Sequence, residues 1–165
     1  VVIEYLADAA DVGALISSKA AGVAMLPQPY VTTVLASNSD YKVALDITKE
    51  WDKVADEGSH LMTSCIVVNT KTYESNKAAV ERFMELFRKS VKFVNENPKD
   101  ASLTVVEAGI VAKAPLAEKA IPQCNIVCVE GDEMKTSLKA FYQAIFAVNS
   151  QLIGGQVPAD EIFVS

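Results

Sequence analysis

Residues 21–30 are Ala-Gly-Val-Ala-Met-Leu-Pro-Gln-Pro-Tyr, and an apolar segment follows them directly. Pro27 ends strand pairing because it has no N–H, and Pro29 fixes φ near the value that the first position of a helix needs. The stretch therefore predicts a strand over Gly22–Leu26 that meets the start of a helix over Pro29–Ser37. In open α/β sheets, ligands bind where strand C-termini and helix N-termini face a crevice, which makes this turn a candidate binding surface. A proline-rich connector without a ligand is the alternative interpretation.

Composition narrows the class of protein. The chain has 165 residues, of which 50% are hydrophobic and 22% charged, so it can bury a core within one domain or within parts of two. A net charge of −6 and few clustered basic residues argue against a nucleic-acid partner. No apolar run approaches the ~20 residues of a membrane span, and no signal-peptide pattern is present. Since Val1 already lies in a predicted strand, we expect that an upstream portion was removed or is absent.

The cysteines do not form a metal or disulfide pattern. Cys65, Cys124 and Cys128 lack the spacing of zinc ligands and are interpreted as small buried hydrophobic residues. In a strand, Cys124 and Cys128 would lie about 13 Å apart, too far for a disulfide. A cysteine nucleophile would need a histidine, and the single histidine, His60, lies in a polar loop. We therefore expect no metal, no cofactor and no catalytic residues.

The order of apolar segments predicts an α/β fold. Strand-like and helical patterns alternate over the first 69 residues, as in βαβ units with a parallel sheet. Asp8 is the predicted cap of the first helix, which extends to about Lys19. The predicted strands are Val1–Tyr5, Gly22–Leu26, Tyr41–Leu45, Met62–Asn69 and Cys124–Val129, with a further half-buried helix over Ile47–Asp56.

Beyond residue 75 the pattern is mainly helical. Asn76–Glu96 places apolar residues at helical spacing along one continuous stripe, which we expect to pack. Further helices are predicted from Pro98 to about Val111, over Pro115–Ala120 and around residues 134–148. The stripe on each helix is interpreted as core rather than as a cofactor site. Apolar residues at the end of the chain, in Glu161–Val164, need a docking partner.

Four groups of residues occur in an order that resembles one protein family. They are Val2–Leu6; the Leu-Pro-Gln-Pro-Tyr turn at 26–30; Cys65–Asn69 with Ala79–Phe83 and Val94–Pro98; and Ile153–Phe163. This order resembles the C-terminal half of solute-binding proteins of ABC importers, in the branch that binds nitrate, sulfonate, taurine and thiamine precursors. The likeness covers nearly the whole chain, but the family usually has Gly at Lys19, Asp at Gly22 and Glu at Gln28. Loss of the Asp and the Glu leaves the ligand specificity open.

The resemblance implies a periplasmic-binding-protein-like fold with two α/β lobes around a crevice. Residues 1–58 would form part of the second lobe, 59–62 a hinge beside Gly58, and 63–165 the returning strand and the C-terminal helices of the first lobe. The first half of the fold would be missing. Closure about such a hinge is typical of these proteins, although an ordinary surface loop is the alternative for 57–62.

The resemblance also implies ligand contacts at two places. These are Gln28, Pro29 and Tyr30 at the turn, and Met62, Thr63 and Ser64 beside the hinge. Amide and hydroxyl groups supply hydrogen bonds, and the Tyr30 ring suits stacking or closure of the crevice. Tyr30 and Met62 as ordinary core residues are the alternative.

The implied function is an extracytoplasmic receptor, periplasmic or membrane-anchored, that delivers a small, anionic or heteroaromatic solute to an ABC importer permease. It implies no enzyme activity. Two further partners are considered: a second copy of the chain, which would form a dimer, and a complementing N-terminal fragment. Two other hypotheses remain: a self-associating helical and α/β interaction module, and a thiamine-precursor enzyme on the same fold.

Overall fold

The computed structural model describes residues 2–18 and 22–164, and in that part of the chain all regular secondary structure is helical. Val1, Lys19 and Ala21, to which the sequence analysis refers, lie outside the described residues. The chain divides into two compact units, one of 1–42 with 79–128 and the other of 43–78 with 129–165. The helices are α1 (Ala9–Ser17), α2 (Tyr30–Ser37), α3 (Ile47–Val54), α4 (Thr70–Ser75), α5 (Lys77–Glu96), α6 (Pro98–Glu107), α7 (Ala114–Ala120) and α8 (Gly131–Asn149). Short 3₁₀ helices cover Ile121–Gln123, Ser150–Ile153 and Asp160–Ile162.

Side-chain caps fix where three of these helices begin. The Asp8 carboxylate accepts a hydrogen bond from the Ala10 N–H at 2.6 Å, which confirms the predicted cap of α1. Asp46 accepts from Thr48 and Lys49 at the start of α3. Asn69 caps α4 in the same way through the N–H groups of its first turn. That short helix was not predicted from the sequence.

The predicted strands are not found in the described part of the chain. Their segments have no regular secondary structure, although the residues are rich in Val, Ile and Tyr. Alternating apolar and polar residues and β-branched side chains favour a strand. A strand forms, however, only when a second strand lies beside it and pairs with its N–H and C=O groups. The described residues supply no such neighbour, so the helical half of the α/β prediction is found and the sheet is not.

In the first unit, the core forms where small side chains let helices approach closely. α6 packs against α7 and the 3₁₀ helix at 121–123, α2 packs against α7, and α1 against α2. The buried residues there are Gly13, Ile16, Val34, Ala101, Ser102, Val111, Ala117, Ala120 and Ile121. Tyr41 reaches back to this core, donating a 2.6 Å hydrogen bond from its hydroxyl to the carbonyl of Ile16.

In the second unit, α8 is the central element. Ser137 and Leu138 are buried, and α8 packs against the 3₁₀ helix that follows it. Trp51 of α3 lies against Phe141 of α8, with ring centroids 5.3 Å apart. An ion pair of 2.6 Å joins Lys139 to Asp160.

The apolar stripe of α5 is covered only in part. No residue of α5 is fully buried; within the stripe Phe83 keeps 51% of its surface, and the other members are half-buried, namely Val80, Met84, Phe87, Val91 and Val94. Phe83 and Phe87 stack on each other at 6.2 Å instead. The stripe is therefore partly buried, as expected of a packed face, although no other described helix packs against α5.

Candidate functional site

The predicted ligand contacts lie in both units. Gln28, Pro29 and Tyr30 belong to the first unit, whereas Gly58 and Met62–Ser64 belong to the second. The two places are described separately.

The turn before α2 is a compact hydrogen-bonded structure. The Gln28–Pro29 peptide bond is cis. The Val31 N–H donates to the carbonyl of Pro27 at 3.2 Å, and the Thr33 N–H donates to that of Pro29 at 3.0 Å. Pro29 is the N-cap and provides no side-chain cap, because its side chain has no acceptor. The helix therefore begins at Tyr30, as predicted within one residue.

Gln28 replaces the missing cap. Its side-chain oxygen accepts two hydrogen bonds, from the Thr32 hydroxyl at 2.8 Å and from the Thr32 N–H at 3.3 Å. The amide nitrogen of Gln28 donates to no other described residue, and the side chain is only half-buried. The hydrogen bonds of the side-chain oxygen to Thr32 thus fix the position of the Gln28 amide. Its two N–H groups can donate to an acceptor group of a ligand.

Tyr30 lies on α1. A Cβ built on Gly13 would be 3.8 Å from Cδ1 of the Tyr30 ring, so the ring rests against the place where α1 has no side chain. The ring is half-buried, and its hydroxyl bonds to no other described residue. One part of the Tyr30 ring therefore packs within the unit, and its polar end remains accessible.

The second predicted contact region differs in character. Met62 is half-buried, whereas Thr63 and Ser64 are exposed in a segment without regular secondary structure. Neither hydroxyl forms a hydrogen bond with another described residue. These hydroxyl groups are free to bond to water or to a ligand.

The loop that contains Gly58 is tied to two helices of its own unit. Asp56–Ser59 forms a turn in which the Ser59 N–H donates to the Asp56 carbonyl at 3.0 Å, and Gly58 has φ = +82°. Ser59 is buried, and its hydroxyl oxygen accepts a 3.3 Å hydrogen bond from the indole N–H of Trp51. A Cβ on Gly58 would be 3.7 Å from a methyl group of Thr136 in α8.

Two residues that fix the structure at these two places were not predicted from the sequence. Thr32 is the partner that orients Gln28, and an amide followed four residues later by a threonine at a helix start would have indicated it. Ser59 was treated as part of a polar loop, yet it is the acceptor of Trp51. No local pattern predicts that contact, because it depends on the side chain of Trp51 returning to the loop.

The second unit also contains two cavities of about 280 Å³ each. One is apolar and lies between α3 and α8, with the lining residues Trp51, Val54, Ala55, Ala144, Ile145, Val148 and Leu152. The other lies between α4 and the end of the chain, where Phe163 is half-buried. Neither cavity is lined by Met62–Ser64.

The three cysteines lie in different environments. Cys124 donates a hydrogen bond from its thiol to the Ala120 carbonyl, and burial raises the pKa of this thiol, which disfavours the thiolate. Cys124 and Cys128 are half-buried, but Cys65 is exposed, so the interpretation of all three as buried residues is wrong for Cys65. Within residues 2–18 and 22–164, no cluster of three or more His, Cys, Asp or Glu could hold a metal ion. No described helix is long and apolar enough to cross a membrane.

Comparison with protein families gives a match to a family described as NMT1/THI5 like, over residues 2–101. The match covers more than half of the chain and includes the turn at Gln28–Tyr30 and the segment Met62–Ser64. The chain belongs to the NMT1/THI5-like family.

A solved structure shares the fold. It is described as an ABC transporter from Parabacteroides distasonis, with a TM-score of 0.75 and 21% sequence identity. The match covers 97% of the present chain and 55% of the other, so this chain spans just over half the length of that protein. No curated protein matches. The two matches confirm, at the level of family and fold, the resemblance drawn from the sequence.

Proposed function

We propose that this member of the NMT1/THI5-like family is part of a solute-binding receptor of an ABC importer. It captures a small solute in a crevice between two lobes and delivers it to a permease in the membrane. Two findings support this function: the family match, and the fold shared with a protein described as an ABC transporter. Such a receptor works outside the cytoplasm, in the periplasm or anchored to the membrane, and performs no chemical reaction.

The observation on which the proposal depends most is the turn at Gln28–Tyr30. The amide nitrogen of Gln28 and the hydroxyl of Tyr30 are polar groups whose positions are fixed by Thr32 and by α1, and neither bonds to another described residue. Preorganised donors that lack a protein partner are what a polar solute needs. Donor groups favour an anion or a heteroaromatic ring with acceptor nitrogens, which is the solute class proposed here.

Met62–Ser64 form a second, separate place of proposed solute contact, and residues 59–62 beside Gly58 are the proposed hinge. The proposed lobes, 1–58 and 63–165, divide the chain differently from the two compact units, which keep residues 43–78 together. The free hydroxyl groups of Thr63 and Ser64 support a role in solute binding. The left-handed conformation of Gly58 supports a position that absorbs dihedral change.

Titration calorimetry tests this function, with taurine, nitrate and the pyrimidine precursor of thiamine as probes. The probe that binds the wild-type chain is then measured with Tyr30→Ala and Thr63→Ala. Each variant should bind it more weakly by about 1–3 kcal/mol, since each removes a polar contact. Thr104→Ala, on the exposed side of α6, is the matched control and should change nothing. Equal affinities of the wild type and both variants contradict the assigned residues, and no binding of any probe contradicts the solute class.

A further inference from the structure

Thr32 determines which way the Gln28 amide faces. Both lone pairs of the Gln28 side-chain oxygen are in use, because this oxygen accepts from the Thr32 hydroxyl at 2.8 Å and from the Thr32 N–H at 3.3 Å. The hydroxyl alone would not decide the orientation, since a hydroxyl both donates and accepts. The backbone N–H only donates, so it must face the oxygen of the amide, and the amide nitrogen must point away from it.

The first turn of α2 depends on this orientation. The N–H groups on either side of Thr32, those of Val31 and Thr33, donate to backbone carbonyls. Between them, the Thr32 N–H donates to the side chain of Gln28. A reversed amide would place its nitrogen against that N–H, so that two donors would face each other in a half-buried position. Reversal therefore loses hydrogen bonds without replacing them.

The backbone of Gln28 is restrained as well. Pro27 and Pro29 precede and follow it, and each proline ring fixes its own φ. A residue that precedes a proline is in turn restricted in its backbone conformation. Since the backbone is restrained and Thr32 holds the amide oxygen, the two N–H groups of the amide have a fixed direction in which to meet a solute.

We propose that Thr32 is a positioning residue that makes the turn selective for hydrogen-bond acceptors. Held by Thr32, the Gln28 amide donates to a solute and does not accept from it. The turn therefore binds an anionic oxygen or an aromatic ring nitrogen and rejects a group that presents only an N–H donor. Without the short bond to the Thr32 hydroxyl, only the 3.3 Å bond opposes reversal of the amide. The role of Thr32 rests on the proposed function, because it takes the turn as a place of solute contact.

Two small neutral rings test this selectivity by NMR titration of the 165-residue chain. Pyridine presents only an acceptor nitrogen and pyrrole only an N–H donor, and both are uncharged in mildly alkaline solution. The wild type should bind pyridine about tenfold more tightly than pyrrole, a difference of about one hydrogen bond. Pyridine should also shift the side-chain N–H signals of Gln28, and pyrrole should leave them in place. Equal affinities for the two rings, or no binding of pyridine, overturn the proposal.

Substitutions at Thr32 separate the positioning role from a purely structural one. Thr32→Val keeps the shape but removes the hydroxyl, and should reduce the preference for pyridine to about threefold or less. Thr32→Ser keeps a hydroxyl and should retain the wild-type preference. Thr33→Val is the matched control, because the Thr33 hydroxyl in the same turn donates to the Pro29 carbonyl instead of to Gln28. A wild-type preference in Thr32→Val overturns the proposal, since Thr32 would then only stabilise the start of α2.

Gln28→Glu gives the reverse test. A carboxylate keeps the acceptor oxygen to which Thr32 donates, but it replaces the two N–H donors by a second acceptor. The variant should therefore retain α2 and prefer pyrrole, and a persistent preference for pyridine overturns the proposal. Calorimetry with the three solute probes reports the proposed function separately, because its failure leaves the ring preferences of the turn measurable.

Discussion

Gly13 shows how one missing side chain positions the candidate site. It is buried within α1, where glycine costs helix stability, and a Cβ there would meet the Tyr30 ring at an ordinary contact distance of 3.8 Å. Gly13→Ala should therefore stabilise the chain by about 0.5–1 kcal/mol. Urea unfolding followed by circular dichroism measures the change.

Gly58 is the matched control for this substitution. Its φ of +82° lies in the left-handed region, where an alanine is strained even though space is present. Gly58→Ala should destabilise the chain by about 1–2 kcal/mol. If both alanine variants shift stability in the same direction, the conformational argument is wrong.

Ser59 is expected to stabilise the loop through Trp51. Its hydroxyl accepts the indole N–H at 3.3 Å in a buried position, so Ser59→Ala leaves that donor without its acceptor. We expect a loss of about 1–2 kcal/mol and a shift in the emission of Trp51, the single tryptophan. Ser64→Ala removes an exposed hydroxyl with no described partner and should stay within about 0.5 kcal/mol. Equal effects of the two variants would refute the role of the hydrogen bond.

At the scale of elements, Asp46 makes the start of α3 sensitive to pH. Hydrogen bonds from the Lys49 and Thr48 N–H groups, with the nearby Lys49 ammonium, lower the pKa of its carboxyl below the ordinary 3.8. A carboxyl with a lowered pKa in the folded state stabilises the helix above its unfolded pKa and loses that contribution as pH falls through the folded pKa. The cap should therefore be at full strength above about pH 5 and weaken progressively below pH 3.8.

Asp46→Asn separates the charge from the hydrogen bonds. Asparagine is an equally good N-cap but does not titrate in this range. Acid titration of Trp51 fluorescence should show a transition near the start of α3 in the wild type that is smaller in the variant. A transition of the same size in both proteins would assign the acid sensitivity to another group.

Helices were predictable and strands were not, for a physical reason. A helix satisfies its backbone within its own segment. The cap at Asp8, the proline at the first position of α6 (Pro98) and the spacing of apolar residues were therefore enough to place the starts of α1 and α6. Residues 2–6 and 62–69 have the side chains of strands, but their pairing depends on a neighbour that no local pattern describes. The helix α4 was missed because the β-branched run Ile66–Val68 suggested a continuing strand, whereas Asn69 caps a new helix.

The local structure of the turn at Gln28–Tyr30 was predictable to a similar extent. The turn at Gln28–Tyr30 follows from two prolines and was located within one residue. Its hydrogen bonds to Thr32 follow from helical spacing and could have been derived. The contact between Trp51 and Ser59 could not, because it depends on tertiary packing rather than on spacing along the chain.

At the scale of the whole molecule, the large exposed surface predicts weak sensitivity to denaturant. The slope of unfolding free energy against urea is proportional to the surface that unfolding exposes. An unfolded chain of 17.7 kDa exposes about 25700 Å², so unfolding from 12129 Å² exposes about three-quarters of what a compact chain would expose. The urea m-value of the isolated monomer should therefore be about three-quarters of the value expected for a compact chain of this size.

Sedimentation velocity under the same conditions checks that the chain is monomeric. A monomer with the full m-value would contradict the prediction, because it would mean that this surface is already covered in solution.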